Sequence, residues 1–322
     1  MSLSERHYPV LVTGARGLLG RALGPLLVQS APAPDAVLLT DLEDLDVTNA
    51  AAVARAVRNL KPRTVFHLAA WTDVDGAESH AAEARRLNVE AAEHVARAAA
   101  EAGALVVHMS TDFVFDGTKA GAYVEDDPPG PLSVYAQTKA ESEARVRAAA
   151  PEHLIVRTAW LYGGGGRDFL RVILAAARQG RTLQVVTDQV GCPTWSEDLA
   201  RALAALVEAG ARGTFHACGL GEASRYEEAA EALAAAGLHP TCGASGRRRC
   251  PGRPAGPRGR SFPPRNSIAR WVSGFRPGAR ASAPTWRCSW GSSTWPRGGG
   301  AGAMSEKVSG TLSRRVPDTF SG

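Results

Sequence analysis

The sequence has few cysteines and no long apolar run. Its five cysteines, among 322 residues, form no Cys-x-x-Cys pair and no zinc-ligand spacing. It contains no stretch of about 20 apolar residues, so it predicts no membrane-spanning helix. The first residues, "MSLSERHYPVLVTG", carry charges where a secretion signal would have its apolar stretch. These absences predict a cytoplasmic protein with reduced thiols.

The net charge is +5, but the basic residues are not evenly distributed along the chain. Residues 1–241 contain 22 Lys and Arg against 30 Asp and Glu, whereas residues 242–322 contain 15 against 2. The positive charge therefore belongs to the C-terminal quarter, and the rest of the chain is mildly acidic. Because nucleic-acid binding by a folded surface needs a basic patch, the sequence predicts no nucleic-acid partner.

The first 240 residues alternate short apolar runs with Ala-rich amphipathic segments. This alternation predicts an α/β fold, a doubly wound parallel sheet with helices on both faces. The predicted strands are 9–14, 36–41, 64–70, 105–112, 154–160, 183–188 and 214–219. The predicted helices include 83–102, 135–149, 167–178, 196–209 and 224–236, with Ser196 capping the fourth of them.

The composition changes abruptly at Cys242. From there the chain is rich in Arg, Gly, Pro and Ser and lacks helical or strand periodicity. A natural disordered tail is one interpretation, and GC-rich DNA read out of frame is the other, which we favour. We predict an NAD(P)-binding domain at 1–160, a small and incomplete substrate-binding lobe with returning strands at 161–241, and a disordered or out-of-frame tail at 242–322.

A glycine-rich turn follows the first predicted strand, in "VLVTGARGLLGRAL". Gly14, Gly17 and Gly20 would let backbone N–H groups at a helix N-terminus approach a pyrophosphate. Asp41 ends the second predicted strand, where a carboxylate can bind the adenosine ribose. The arrangement predicts a dinucleotide site. Asp41 favours NAD, whereas Arg16 could hold the extra phosphate of NADP, so the sequence leaves that choice open.

A tyrosine and a lysine, Tyr135 and Lys139, stand four residues apart in "SVYAQTK". On a helix both side chains lie on one face. An isolated tyrosine and lysine at this spacing usually lie on an exposed helix surface and have no catalytic role. A neighbouring ammonium can, however, lower the pKa of a phenol and prepare it for proton transfer. Ser110 and Thr111 end a strand upstream, where ligands bind in doubly wound sheets. Glycine turn, hydroxyl and Tyr-Lys pair occur in the order of a short-chain dehydrogenase/reductase.

Five segments resemble one family within that superfamily. They are "LAAWTDVDGAE" (68–78), "STDFVFDG" (110–117), "PLSVYAQTKAESE" (131–143), "RTAWLYG" (157–163) and "VVTDQVGCPTWSEDLA" (185–200). Together they resemble the dTDP-4-dehydrorhamnose reductase family over residues 8 to 241. The resemblance implies reduction of the C4 ketone of a dTDP-sugar, dTDP-4-dehydro-L-rhamnose, by NADPH or NADH, in the biosynthesis of dTDP-rhamnose for cell-surface polysaccharide.

The resemblance also assigns roles to residues. Tyr135 would donate the proton, Lys139 would bind the nicotinamide ribose and lower the pKa of the tyrosine, and Thr111 would complete the catalytic group. The residues implied at the cofactor are Gly14, Gly17, Leu18, Leu19, Gly20, Asp41, Asp46, Val47, Ala70, Trp71, Thr72, Tyr135 and Lys139. Those implied at the substrate are Thr111, Asp112 and Trp160. Plain structural roles stay open for Trp160 as a core residue, Asp112 as a cap and Cys192 as a loop residue.

The sequence departs from related patterns at two positions. Sugar-nucleotide dehydratases carry an Asp-Glu pair after the threonine, whereas here Phe113 follows Asp112, so elimination lacks its base and carbonyl reduction remains. Some family members bind magnesium through glutamates, and Ala22 stands where the first would be, so we predict no metal. Two alternative functions remain: a reductase or epimerase of another nucleotide sugar, or a non-catalytic regulatory subunit of the same fold. A homodimer is also left open.

Overall fold

A central parallel sheet organises the structure, a computed structural model that describes residues 3–119, 121–238 and 242–245. The strands are β1 (Val10–Thr13), β2 (Val37–Thr40), β3 (Thr64–His67), β4 (Leu105–Thr111), β5 (His153–Thr158), β6 (Leu161–Tyr162), β7 (Leu183–Val186), β8 (Val190–Gly191), β9 (Thr194–Trp195), β10 (Gly213–His216), β11 (Ala223–Ser224) and β12 (Cys242–Ser245). Six of them form the sheet, in the order β10-β5-β4-β3-β1-β2. The predicted doubly wound sheet is confirmed, and its switch point lies between β1 and β3.

Helices cover both faces of this sheet. They are α1 (Leu18–Ser30), α2 (Ala50–Leu60), α3 (Val74–Ser79), α4 (Ala81–Arg85), α5 (Ala91–Glu101), α6 (Val134–Ala149), α7 (Phe169–Arg178), α8 (Ser196–Glu208) and α9 (Arg225–Ala235). Alternate residues of β1 point to opposite faces, as the pleat requires. Val10 and Val12 pack in the core with α1 and α8, whereas Leu11 packs in the core with α2, α5 and α6.

Each of the seven predicted strands coincides with a strand of the structure, but one of them leaves the sheet. β7 belongs instead to a small lobe, where α7 and α9 share a separate apolar core. Leu170 and Leu174 of α7 meet Ala229 and Leu233 of α9 in that core. The intervening α8 and β10 return to the main sheet, so the described chain enters the lobe twice.

The last strand lies inside the segment predicted to lack regular structure. β12 spans Cys242–Ser245 and pairs with β7 in parallel register. Periodicity could not indicate this strand, because a short parallel strand is held by backbone hydrogen bonds that "CGAS" does not encode. The prediction for 242–245 is therefore wrong, and the rest of the predicted tail, 246–322, lies outside the described residues.

Two helix starts show where capping signals succeed and fail. Ser196 was predicted to cap α8, but it is the first helical residue, and its buried hydroxyl has no hydrogen-bond partner within the described residues. At the start of a different helix, α9, Ser224 is a true cap. Its hydroxyl accepts a hydrogen bond from Glu227 N at 3.1 Å, and Ser224 N donates one to the Glu227 carboxylate at 2.7 Å. This reciprocal pair fixes the start of the helix. In the described ranges no helix is both long and apolar enough to span a membrane.

Candidate active site

The glycine turn between β1 and α1 closes against the loop that follows β3. Gly14 has φ +72°, and a Cβ placed there would lie 2.6 Å from the backbone nitrogen of Ala69. A Cβ on Gly20 would lie 2.4 Å from the carbonyl oxygen of Gly14. Glycine is therefore needed at both positions. The turn brings the N-terminus of α1, which begins after Gly17, to the switch point of the sheet. Such an N-terminus suits a pyrophosphate.

An acidic group lies beside the turn, at the end of β2. Asp41 accepts a hydrogen bond from the backbone nitrogen of Arg16 at 2.8 Å and another from Leu42 N at 2.9 Å. The Arg16 guanidinium forms ion pairs with Glu43 and, at 3.2 Å, with Asp44. A carboxylate, Asp41, and a guanidinium, Arg16, therefore both lie where an adenosine ribose would bind. The contacts of Arg16 are exposed and therefore weak enough to be exchanged for a phosphate.

A single cleft of about 730 Å³ runs from this turn to the ends of β4 and β5. That volume is in the range of cofactor and substrate sites. Among the described residues, fourteen of the sixteen predicted site residues line it: Gly14, Gly17, Leu18, Leu19, Gly20, Asp41, Val47, Ala70, Thr72, Thr111, Asp112, Tyr135, Lys139 and Trp160. Residues up to 150 positions apart in sequence are thereby brought to one edge of the sheet.

The other two predicted residues, Asp46 and Trp71, do not line the cleft within the described chain. The Asp46 carboxylate instead accepts from the backbone and hydroxyl of Thr48, at 2.9 and 2.7 Å, and these bonds lower its pKa. Trp71 stacks on His80 and donates its indole N–H to the backbone oxygen of Asp73 at 2.8 Å. Asp46 therefore shapes a turn, and the Trp71 ring turns away from the cleft.

Sequence reasoning missed Asn88, which holds the loop that lines the cleft. Its side-chain oxygen accepts from Trp71 N at 2.8 Å, and its amide donates to Trp71 O at 3.2 Å and to the hydroxyl of Thr138 at 2.9 Å. Asn88 lies in a single π-helical turn, Arg86–Glu90, between α4 and α5. Such turns often mark functional positions, but periodicity alone could not reveal one inside a predicted helix.

The proton-donating group that the sequence predicted is assembled, with one correction. Burial raises the pKa of Tyr135 to about 12, although a hydrogen bond with the Thr111 hydroxyl opposes the rise. The prediction of a lowered tyrosine pKa is therefore wrong, because the cost of burying a phenolate is the largest contribution to the shift. Phe113 packs edge-on against the tyrosine ring, with centroids 5.8 Å apart. Tyr135 is thus a neutral phenol at physiological pH, the form that can give up a proton to a substrate.

Lys139 lies almost fully buried one turn beyond Tyr135. Burial lowers the pKa of its ammonium to about 8, and the Glu143 carboxylate acts in the opposite direction. Beneath it, on β3 and β4, two stacked histidines, His67 and His108, have pKa values lowered by burial and then by Lys139 itself. The ammonium at the bottom of the cleft is therefore the positive charge beside Tyr135, and the imidazoles below it are neutral.

The far wall of the cleft is built on a strained tryptophan. Trp160 has φ +45°, a left-handed conformation that costs a non-glycine residue about 1–3 kcal/mol. Packing holds it there: the Arg225 guanidinium lies 3.5 Å from the ring centroid, and a Cβ on Gly191 would lie 2.3 Å from the ring. Arg225, which also lines the cleft, was not predicted, because it lies 65 residues downstream in a helix with no recognisable motif.

Comparison with known proteins places the chain among sugar-nucleotide reductases. The profile of the family described as "RmlD substrate binding domain" matches residues 8–255. The chain belongs to this family. It is 41% identical, over 244 residues, to a dTDP-4-dehydrorhamnose reductase of Mycobacterium tuberculosis H37Rv, covering 74% of this chain and 79% of the relative. It is 45% identical, over 205 residues, to one of Streptomyces griseus, covering 63% and 66%.

Solved structures of the same family share the fold. A dTDP-4-dehydrorhamnose reductase of Clostridium acetobutylicum superposes with a TM-score of 0.73 at 36% identity, over 77% of this chain and 89% of that one. One of Bacillus anthracis, solved with NADP, gives 0.71 at 31% identity, over 76% and 84%. The family match ends at residue 255, fourteen positions beyond the boundary predicted from composition.

Proposed function

We infer that the chain is an NAD(P)H-dependent reductase of the C4 ketone of dTDP-4-dehydro-L-rhamnose, which it converts to dTDP-L-rhamnose. The observation that carries this inference is the meeting of Thr111, Tyr135 and Lys139 in the cleft that begins at the glycine turn. The chain is also 41% identical to a reductase of that name. Neither a regulatory subunit nor a dehydratase explains the site, because the proton donor is intact and Phe113 occupies the position of the second acid.

The chain's own residues would prepare the carbonyl for reduction. A reduced nicotinamide, when bound, supplies the hydride. Tyr135 would donate its phenolic proton to the carbonyl oxygen, and the Thr111 hydroxyl, already hydrogen-bonded to Tyr135, would hold the same oxygen. The Lys139 ammonium would stabilise the tyrosinate left behind. Asp112 and Trp160 would contact the sugar, and the glycine turn would hold the cofactor pyrophosphate.

A spectrophotometric assay tests this function directly. Purified protein should consume NADPH or NADH when dTDP-4-dehydro-L-rhamnose is added, at a rate proportional to enzyme. The competing substrate to include is dTDP-4-keto-6-deoxy-D-glucose, because a Streptomyces niveus relative named as its reductase is 39% identical over 218 residues. A higher kcat/KM with that sugar would assign the chain to the alternative function.

We expect dual cofactor use, with no more than about a tenfold preference, or about 1.4 kcal/mol, for either nucleotide. Asp41 should bind a free ribose hydroxyl and repel a 2′-phosphate, whereas Arg16 should attract that phosphate. Asp41→Ala should therefore shift kcat/KM towards NADPH, Arg16→Ala should shift it towards NADH, and Arg58→Ala on the exposed surface of α2 should shift neither. A thousandfold preference in the wild type would mean that one of the two residues does not reach the ribose.

We also propose that the sequence departs from the family after residue 255, where the family match ends. The high Arg, Gly and Pro content, which begins at Cys242 and continues beyond residue 255, supports an out-of-frame origin for the part after the match. A chain truncated after residue 255 should then keep the cofactor affinity and turnover of the full chain. Loss of turnover on truncation, together with a resequenced gene that confirms this frame, would contradict the proposal. Cytoplasmic location and a homodimer stay predictions, and sedimentation equilibrium tests the second.

A further inference from the structure

The buried carboxylate of Glu143, behind the site, accepts four hydrogen bonds. Glu143 lies one helical turn beyond Lys139 on α6, and its side chain is 1% exposed. One carboxylate oxygen accepts from the Ser110 hydroxyl at 2.6 Å and from Arg157 Nε at 2.8 Å. The other accepts from a terminal nitrogen of Arg157 and one of Arg147, each at 2.8 Å.

These bonds join three elements that carry residues of the proposed site or lead directly into one. Glu143 belongs to the helix that carries Tyr135 and Lys139. Ser110, near the end of β4, immediately precedes Thr111 in the chain. Arg157, near the end of β5, precedes Trp160 by three residues. A side chain that fixes all three elements can set how far the tyrosine hydroxyl lies from the substrate oxygen, a distance on which turnover depends steeply.

Glu143 also supplies the negative charge next to the Lys139 ammonium. Burial alone would drive Lys139 towards the neutral amine, and Glu143 is the group that opposes this. The carboxylate stays ionised, because the bonds and charge of Arg157 outweigh the effect of burial and lower its pKa. Within the described chain, the titratable or charged groups around the pair are of both signs. They are His67 on β3, His108 on β4, Arg157 on β5, His216 on β10, Tyr135 and Arg147 on α6, Asp112 beside Tyr135, and Glu125 beside Arg157 and His216.

None of those surrounding groups changes charge near pH 8. The pKa values of His67, His108 and His216 are lowered by burial, so all three are neutral there. Tyr135 titrates at about 12, and the two arginines stay charged.

Two further groups near the cleft do titrate in this range: burial raises the pKa of Glu228, which pairs with Arg225, to about 7, and the bond with Cys192 lowers the pKa of Cys218. A change between pH 7 and 9 therefore reports Lys139 only where it moves in Glu143→Gln.

We propose that Glu143 is a positioning residue for the reduction, which holds the Tyr135–Lys139 helix against the strand end that carries Thr111. Its charge also acts on the Lys139 ammonium one helical turn away. This inference rests on the proposed function. A buried ion pair can often be replaced by apolar residues without loss of stability. If the pair were purely structural, such a replacement would therefore also keep turnover and its pH dependence.

The first test compares three single variants. Glu143→Gln keeps the shape but removes the charge, so kcat should fall at least tenfold and the alkaline limb of kcat/KM should move down by about one pH unit or more. Ser110→Ala removes one bond but keeps the charge, so it should lower kcat without moving the limb. Arg145→Gln removes a charge from the same helix that pairs with Glu93 and Glu141 instead, and should change neither. An unmoved limb in Glu143→Gln would overturn the proposal.

A second test guards against misfolding. The double variant Glu143→Leu with Arg157→Met replaces the whole pair by apolar side chains. Its thermal unfolding midpoint should return from that of Glu143→Gln to the wild-type value, but its turnover should stay low. Restored turnover with the wild-type pH profile would make the pair merely structural and overturn the positioning role.

A readout independent of turnover separates this inference from the proposed function. The Lys139 ammonium can be titrated by NMR of 13C-labelled lysine, assigned with Lys139→Met. The titration midpoint should drop in Glu143→Gln and stay in place in Arg145→Gln, whichever sugar the enzyme reduces. An unchanged midpoint in Glu143→Gln overturns the inference even if dTDP-4-dehydro-L-rhamnose is the substrate. A dropped midpoint without reductase activity supports the electrostatic coupling and counts against the proposed function alone.

Discussion

Replacing Tyr135 by phenylalanine should lower kcat by about 100-fold or more, equivalent to about 2.7 kcal/mol of transition-state stabilisation. The phenol is the proton donor of the proposed reaction, and phenylalanine keeps the ring that packs against Phe113. Because the pKa of Tyr135 is about 12, the donor stays protonated up to pH 10 and does not cause an alkaline limb near pH 8. Lys139, with a pKa of about 8, accounts for such a limb if the limb moves in Glu143→Gln. Steady-state rates at saturating cofactor measure the change.

The matched control for that substitution is Tyr8→Phe. Tyr8 is also buried, and it donates its hydroxyl to the backbone oxygen of Leu27 at 2.8 Å, at the opposite end of the sheet. It should cost stability but leave kcat unchanged. Cofactor affinity should change little in Tyr135→Phe, since the glycine turn is untouched. Near-wild-type turnover in Tyr135→Phe would remove the tyrosine from the mechanism.

Local patterns were enough to predict the sheet. Buried parallel strands such as β1 and β4 are apolar runs bounded by glycine or polar residues, and this signal is contained within each segment. The predicted lobe at 161–241 contains β7, but the strand pattern did not show which strands of that range return to the sheet, because β7 reads like any other strand and its pairing depends on the distant partner β12. The same reason explains the error at Cys242–Ser245, where pairing rather than composition makes the strand.

The candidate site was predictable only where its residues form contiguous motifs. The glycine turn and the Tyr135–Lys139 pair have fixed spacings, so the sequence contains them whole. Asn88, Glu143 and Arg225 act through contacts with segments 14 to 65 residues away, which no spacing records. The sign of the Tyr135 pKa shift was missed for another reason: a helical pattern gives the neighbouring charge but not the depth of burial, and burial is the larger effect here.

Two buried histidines beneath the site make the fold sensitive to acid. His67 and His108 stack with ring centroids 5.5 Å apart, below the Lys139 ammonium. His67 Nδ1 lies 2.8 Å from the Thr13 hydroxyl, and His108 Nε2 lies 2.9 Å from that of Ser142. The remaining nitrogen of each ring has no hydrogen-bond partner within the described part of the chain. Protonating either ring would bury a second cation close to Lys139.

Protonation of the unfolded chain at these histidines should therefore reduce the free energy of unfolding as the pH falls. Glu228, whose folded pKa burial raises to about 7, acts in the opposite direction over the same range, so the histidine contribution is isolated by comparing variants. The pKa of His67 is about 3 in the folded state and about 6.5 when unfolded, so only the unfolded chain takes up the proton between those values. The contribution to stability is fully present above pH 6.5 and is lost as the pH falls, by about 2.5 kcal/mol for His67 between pH 7 and pH 4.5. His108 should add a loss of the same sign, because its pKa is lowered too.

Urea unfolding at pH 7, 5.5 and 4.5 measures how the free energy of unfolding depends on pH. His67→Gln should flatten this dependence, whereas His80→Gln, on the exposed surface, should not. If His67→Gln kept the full wild-type slope, other groups would have to account for the acid sensitivity.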